Sequence, residues 1–345
     1  MRRDELFENI KSLLSLTLII VIFIGVIPHI LLGNGIDNFL KENFSEKTTD
    51  YKSKNVIQIS GSDKAKVYRT KSKKVEEMPV EEYIMGVLWS EMPVDFNEEA
   101  LKAQAIAART YYYSKRAEKC NEGNGAEICD SVHCQAYIDK NARLENWDEK
   151  ARDKNYKKIK EVIDDTKGMV LTYKGELALY PQYFSTSSGK TENAEDVFSS
   201  KVPYLESVDS PGEEVSPKFE SEKKLKNKEF VEIFKKDYKD TDIKEKNLKN
   251  YIEIKSRTDG GSVKDIKIGN KIIEGTKFRK LFDLKSANFE LEFSKDTVTI
   301  KIKGYGHGVG MSQWGANVMG KDGKKFDYIL KHYYKGTEIS KIFYK

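Results

Sequence analysis

Cysteine is scarce in this chain, with three in 345 residues, and three thiols cannot all pair within one chain. A disulfide-stapled miniprotein is therefore excluded, and a chain of this length buries a sizeable core without covalent help. Arginine is also scarce: nine of the 60 basic residues are Arg, set against 55 acidic residues for a net charge of +5. Bidentate Arg is the commonest tool of base readout, so a dedicated nucleic-acid reader is excluded and anionic partners are only mildly favoured. No repeat of fixed period is present, SSGKT lacks the GxxxxGK of a phosphate loop, and no βαβ unit surrounds GYGHGVG. What the chain has is 39% hydrophobic and 11% aromatic residues beside 33% charged ones, too much core-forming material for a disordered chain.

Mean hydropathy is −0.63, with one exception. Residues 13–32, LLSLTLIIVIFIGVIPHILL, contain no acidic, Lys or Arg side chain, and twenty such residues at about 1.5 Å each span a bilayer core. The run is longer than a signal-peptide core and is followed by GNGIDNF rather than a small-residue cleavage site, which predicts an uncleaved anchor. Arg2, Arg3 and Lys11 precede it and Lys41 and Lys47 follow, a weak positive-inside bias. The expectation is a cytoplasmic tail over 1–12, a transmembrane helix over 13–32, a tether over 33–54 and the rest of the chain outside the cytoplasm.

Beyond residue 55 the pattern predicts an α+β class. VIQIS, GSDKA and KVYRT suggest a hairpin, and Val80, Tyr83, Ile84, Val87 and Leu88 form one helical stripe. A second helix is expected from an Asn97 cap, a third over 155–165, and a strand over 169–173. The Lys- and Glu-dense stretch 212–242 predicts a solvated helix, and 250–299 an antiparallel sheet interrupted by a short helix near 277–284.

Four segments can carry chemistry. Glu91, in WSEMP, sits at a helix end set by Pro93 and reads in two ways: a surface glutamate, which the residues alone favour, or a general acid whose carboxyl pKa is raised by the negative end of the dipole and by burial against Trp89 and Met92. Cys129, His133 and Cys134 lie within six residues, with Cys120 nine earlier. Thiolate and imidazole ligands at that density suit a structural Zn²⁺, with Cys120 or a water as fourth ligand. A disulfide and a Cys nucleophile paired with His133 or His307 are the competing readings. YFSTSSGKTENAEDVF is dense in hydroxyls, and the glycines of GYGHGVGMSQWGA either let a backbone approach a ligand, aiming His307, Gln313 and Trp314 into a cleft, or form a tight turn that packs Trp314.

These segments, with VEEYIMGVLWSEMP, NEEALKAQAIAARTYYYSK, DSVHCQAY, VPYLESVDSP and ILKHYYKGTEI, resemble in order the SpoIID/LytB family over roughly residues 55–345. The resemblance implies a catalytic domain over 55–345 with a substrate groove; nothing transfers from it to the Lys-rich stretch from 212 to about 254, where the residue pattern alone sets off a smaller Lys-rich, strand-containing subdomain at about 212–300. The resemblance implies a lytic transglycosylase that cleaves the MurNAc–GlcNAc bond of peptide-stripped glycan strands during forespore engulfment, with Glu91 as single acid/base and no cofactor in the chemistry. It further implies that Arg109, Gln135, Tyr137, Tyr183, Ser187, Ser188, Lys190, His307 and Gln313 bind substrate, Arg109 and Lys190 meeting lactyl carboxylates. The implied partners are a membrane-anchored amidase and another engulfment membrane protein, and the implied site is the mother-cell membrane facing the intermembrane space. The rival reading is a catalytically silent amidase enhancer or glycan-binding scaffold.

Overall fold

The computed structural model describes residues 55–345, which the chain enters on a strand. β1 (Val56–Ile59) does not fold back on its neighbour but lies against the C-terminal strand. The first hairpin is formed instead by β2 (Lys64–Arg69) and β3 (Lys74–Pro79), joined by a turn in which Lys73 takes a positive φ of 57°. Pro79, which has no N–H of its own, ends β3 and stands before α1 (Val80–Glu91), whose first N–H donates to the Asp63 carbonyl at 2.8 Å. α1 buries Tyr83, Ile84, Val87 and Leu88 completely. α2 (Glu98–Glu118) is capped by Asn97, whose side chain accepts from the Glu99 N–H at 2.9 Å. Its buried residues include five alanines, small enough to let neighbours approach from several sides.

β4 (Ile128–Cys129) pairs parallel with β2 and ends in the cysteine loop. α3 (Lys140–Asn146) and α4 (Glu149–Asp165) follow, each capped by an aspartate, Asp139 and Asp148. β5 (Met169–Tyr173), β6 (Glu176–Leu177), β7 (Tyr183–Phe184) and the short α5 (Ala194–Phe198) lead into the Lys-rich region.

There, β8 (Glu220–Lys226) runs into α6 (Asn227–Asp237), then β9 (Ile252–Arg257), β10 (Val263–Ile268), β11 (Lys271–Glu274), α7 (Gly275–Leu281), β12 (Phe289–Phe293) and β13 (Thr297–Lys303). The strands form two antiparallel three-stranded sheets, ordered β11-β10-β9 and β12-β13-β8. Period-2 alternation turns Ile266, Ile268, Val298 and Ile300 inward, and α6 and α7 contribute Phe230, Phe234 and Phe278 to the same core.

β14 (Met311–Ser312) pairs parallel with β7, and α8 (Gln313–Lys321), α9 (Phe326–Tyr333) and β15 (Thr337–Tyr344) complete the chain. β15 sits between β1 and β5 in the order β1-β15-β5-β6. α2 is the central element, packing against α1, α4, α8, α9 and β5.

Several expectations need correction. The membrane helix at 13–32 lies outside the described residues, and among the described residues no helix is long and apolar enough to cross a membrane. The longest, α2, has 21 residues but carries Glu98, Glu99, Lys102, Arg109, Lys115 and Arg116. The fold class of a membrane-anchored domain, and the single-pass localisation that followed from it, are therefore not supported. The β1–β2 hairpin is replaced by β2–β3. The single antiparallel sheet is two sheets, and parallel pairs occur at β1–β15, β2–β4 and β7–β14. The solvated helix of 212–242 is shorter and half-buried, because Phe230 and Phe234 are fully covered.

Phe278 is fully buried with ring neighbours Phe282 at 4.4 Å and Phe289 at 4.6 Å. Phe278→Ala is expected to cost about 3–5 kcal/mol of stability in urea unfolding; a loss under about 1 kcal/mol would contradict this packing.

Candidate functional site

Glu91 is the last residue of α1, and Met92, in extended backbone before Pro93, caps the helix with its N–H on the Leu88 carbonyl at 3.1 Å. The carboxyl stands at the negative end of the helix dipole. Burial pushes it above its ordinary value, while bonds from the Gln313 side chain and the Ala136 N–H pull the other way. Gln313 Nε2 donates to Glu91 Oε2 at 2.9 Å. The carboxyl opens on a cavity of about 250 Å³ whose lining includes Tyr111, His133, Cys134, Gln135, Tyr183 and His307. A larger hollow of about 410 Å³ on the face of β8, β13 and β12 is lined by exposed Lys and Glu with no buried acid or base, so size does not mark the site.

The walls are held by buried amides and phenols. Gln135 accepts from the Tyr83 hydroxyl at 3.2 Å, and donates to the Ala108 carbonyl at 3.2 Å and the Tyr183 oxygen at 2.8 Å. Burial and the nearby Glu91 charge push the Tyr183 hydroxyl far above its ordinary value, so it is a neutral phenol. His307 Nδ1 accepts from the Val309 N–H at 3.1 Å, which leaves the proton on Nε2, donating to the Tyr183 carbonyl at 3.1 Å. Burial, helped by Arg279, holds the imidazole down at about 4. The ring is therefore neutral near pH 7, with both nitrogens occupied by backbone, and it shapes the wall rather than moving protons.

The cysteine loop forms the opposite wall. A turn closed by the Cys134 N–H on the Ser131 carbonyl at 3.0 Å brings His133 and Cys134 to one point despite their adjacency. The ligand atoms of Cys120, Cys129, His133 and Cys134 all lie within 4.8 Å of one another. His133 Nδ1 is 3.5, 3.7 and 3.4 Å from the sulfurs of Cys120, Cys129 and Cys134, and Cys134 Sγ is 3.4 Å from Cys120 Sγ. Tetrahedral bonds of about 2.3 Å to sulfur and about 2.0 Å to nitrogen place ligand atoms roughly 3.5–3.8 Å apart, so the donor set fits a metal ion. The three thiols are all free, and none is at disulfide distance. Gln135 and Ala136 follow Cys134 directly, so the cluster adjoins the backbone that meets both Tyr183 and Glu91.

A family model described as a stage II sporulation protein, SpoIID, matches residues 68–173. The chain is 40% identical over 276 residues to Stage II sporulation protein D of Bacillus subtilis, covering 79% of this chain and 78% of that protein. It is equally 40% identical over 278 residues to the Bacillus amyloliquefaciens protein of that name, with the same coverage of 79% and 78%. The chain belongs to the SpoIID family. A protein named Amidase enhancer, from Bacillus subtilis, is 28% identical over 304 residues, 74% of this chain and 40% of that protein.

Of the residues that the SpoIID resemblance assigned to substrate, Gln135, Tyr183 and His307 line the Glu91 cavity, and Gln313 reaches Glu91 itself. Arg109 does not. It is fully buried on α2, paired with Glu81 of α1 and donating to the Met169 carbonyl at 3.1 Å, so it joins α1, α2 and β5 in the core. Tyr137 stacks on Tyr83 at 5.6 Å, beneath the Arg69 guanidinium at 4.5 Å, and presses on α1 where a Cβ at Gly86 would meet its ring at 2.2 Å. Lys190 borders a separate hollow with Asn193, Lys201, Glu206 and Asp259. Ser188 accepts from the Asn288 side chain at 2.9 Å, and Ser187 bonds Glu213. Sequence reasoning missed Tyr111, Val132 and Phe198 around the cavity. Val132 and Phe198 are 94% and 44% exposed, and an apolar residue beside the cysteine motif was the only signal for the first.

Cobalt(II) added to chelator-stripped full-length chain is expected to give thiolate-to-metal charge-transfer absorption that Cys129→Ser weakens strongly. Absence of that band in the unmodified chain would contradict a metal-binding cluster.

Proposed function

We propose that this SpoIID-family chain is a lytic transglycosylase, cleaving the MurNAc–GlcNAc bond of peptide-stripped peptidoglycan strands in the wall remodelling of forespore engulfment. The observation that carries the reading is the isolation of Glu91: among the described residues lining its cavity it is the only carboxyl group. Hydrolysis with either stereochemical outcome ordinarily needs two carboxyls flanking the bond. One is enough when the nucleophile belongs to the substrate. Glu91, with its proton affinity raised by burial, protonates the glycosidic oxygen. As the carboxylate, favoured by Gln313 and the Ala136 N–H, it then takes the proton of the muramyl C6 hydroxyl, which closes the 1,6-anhydro ring. The intramolecular hydroxyl brings a high effective concentration and needs no ordered water. Tyr183 and the neutral His307 hold the wall opposite, and Phe198, 5.4 Å from His307, presents an apolar face to a sugar ring.

The ion in the cysteine cluster is zinc in this proposal, held by Cys120, Cys129, His133 and Cys134. With all four positions taken by protein it supplies folding energy and fixes Gln135 and Ala136, while the chemistry stays with Glu91. The name of the relative called Amidase enhancer supports a second reading, a non-catalytic scaffold that assists an amidase. An amidase partner fits both readings, since stripped strands are its product.

Full-length chain incubated with peptide-stripped glycan strands is expected to yield anhydro-muramyl ends by mass spectrometry, and Glu91→Gln to lower their rate by about 10²–10⁴. Reducing ends carrying added water would identify a hydrolase instead. Strands bound but uncut by both proteins would favour the scaffold.

A further inference from the structure

Glu91 is not the only carboxyl group shielded from water in this region. Glu213, at the turn after Gly212, is fully buried, and no cation is bonded to it among the described residues. Its Oε2 accepts from the Ser187 N–H at 2.7 Å and the Ser312 hydroxyl at 2.6 Å. Its Oε1 accepts from the hydroxyls of Ser187 at 2.6 Å and Ser210 at 2.5 Å. Each of these hydroxyls receives a bond from elsewhere: Ser187 from the Gly189 N–H at 3.1 Å, Ser312 from the Gly315 N–H at 3.3 Å, and Ser210 from the Tyr333 hydroxyl at 2.6 Å. Those bonds leave the three hydroxyl protons free to point at Glu213. Burial pushes the Glu213 carboxyl above its ordinary value, and the four donors that it meets, with no acceptor among them, pull the other way. Tyr333 of α9 is the titratable group facing it, and burial and the Glu213 charge push that phenol far up, so it stays neutral.

The bonds converge on the start of α8. Ser312 caps that helix, and the next residue is Gln313, the donor to Glu91. The Trp314 N–H donates to the Ser185 carbonyl at 3.0 Å, adding a backbone tie. Gly315 fits because it has no Cβ: one there would lie 2.1 Å from the Tyr333 oxygen and 2.3 Å from Ser210 Oγ. The glycine of SQWGA is therefore a packing requirement of the hub, and the Glu91 cavity is a separate feature lined by other residues.

We propose that Glu213 is a positioning residue for the active site, fixing the first turn of α8 through Ser312 and so presenting the Gln313 amide to Glu91. The inference rests on the transglycosylase reading of Glu91. The Gln313 bond favours the charged carboxyl, so its loss keeps Glu91 protonated to higher pH. The alkaline limb of activity then moves upward, and the step in which Glu91 acts as base slows. The other titratable groups facing Glu91 across the cavity are Tyr111, Tyr183, His133, Cys134 and His307, and the bonds of Glu213 go instead to Ser187, Ser210 and Ser312.

The test compares full-length Glu213→Gln, Gln313→Ala and the double variant with the unmodified chain, using release of anhydro-muramyl ends across pH. Both single variants are expected to lower kcat by roughly ten- to hundred-fold, the factor tied to a hydrogen bond to a charged group, and to raise the alkaline limb. The double variant is expected to do no more than Gln313→Ala alone. Phe278→Ala, a remote destabilising change, is expected to leave the limb in place. An unmoved limb in Glu213→Gln, multiplicative losses in the double variant, or a moved limb in Phe278→Ala would each overturn the proposal. Should Glu213→Gln not fold, Ser312→Ala removes the same link and is held to the same expectation. Absence of anhydro ends from the unmodified chain would defeat the transglycosylase reading by itself. The Gln313 side-chain amide resonance then decides the positioning claim: displacement in Glu213→Gln and Ser312→Ala supports it, and an unchanged resonance overturns it.

Discussion

A half-buried carboxyl group at the C-terminal end of a helix is costly to ionise, and most of the architecture around Glu91 bears on that cost. α1 ends where Met92 and Pro93 turn the chain, and burial raises the proton affinity of the acid left there. Two hydrogen bonds oppose the rise, one from α8 and one from the segment after Cys134. In the proposed reaction Glu91 gives a proton and then takes one, which needs both tendencies in balance. The balance depends on elements far apart in the chain: Gln313 is 222 residues from Glu91.

Those elements are held by devices of unlike chemistry. On one side the cysteine cluster runs directly into Gln135 and Ala136, which meet Tyr183 and Glu91. On the other, β7 pairs with β14, the Tyr183 carbonyl accepts from His307, and Ser312 passes from strand to helix cap. Arg109 works beneath both, its ion pair with Glu81 binding α1 to the central helix α2. The Lys-rich region has an aromatic core of its own around Phe230, Phe278 and Phe289.

Local features were legible in the sequence, and distant pairings were not. The Val80–Leu88 stripe, the Asn97 cap and the Pro93 stop depend on neighbours within a few residues, and they placed Glu91 at its helix end. β1 looked like half of a hairpin because alternation shows a strand but not its partner, and that partner, β15, is at the other end of the chain. Arg109 was assigned to substrate through the family resemblance, and its burial against Glu81 is a property of two packed helices that a motif match does not carry. Glu213 was invisible for the opposite reason: in a stretch crowded with Lys and Glu, the one acid with no exposure resembles its solvated neighbours. Ser187 and Gln313 were marked by their motifs, yet only the fold shows that Ser187 meets Glu213 and Gln313 meets Glu91.

The most direct measurement is the titration of the Glu91 side-chain carboxyl by carbon NMR in the full-length chain, assigned with Glu91→Gln. The account expects a midpoint above the ordinary value of 4.5 for a glutamate, burial outweighing the two hydrogen bonds. A midpoint at or below that value would mean that Glu91 is ionised throughout the working range, and it would contradict its role as the acid.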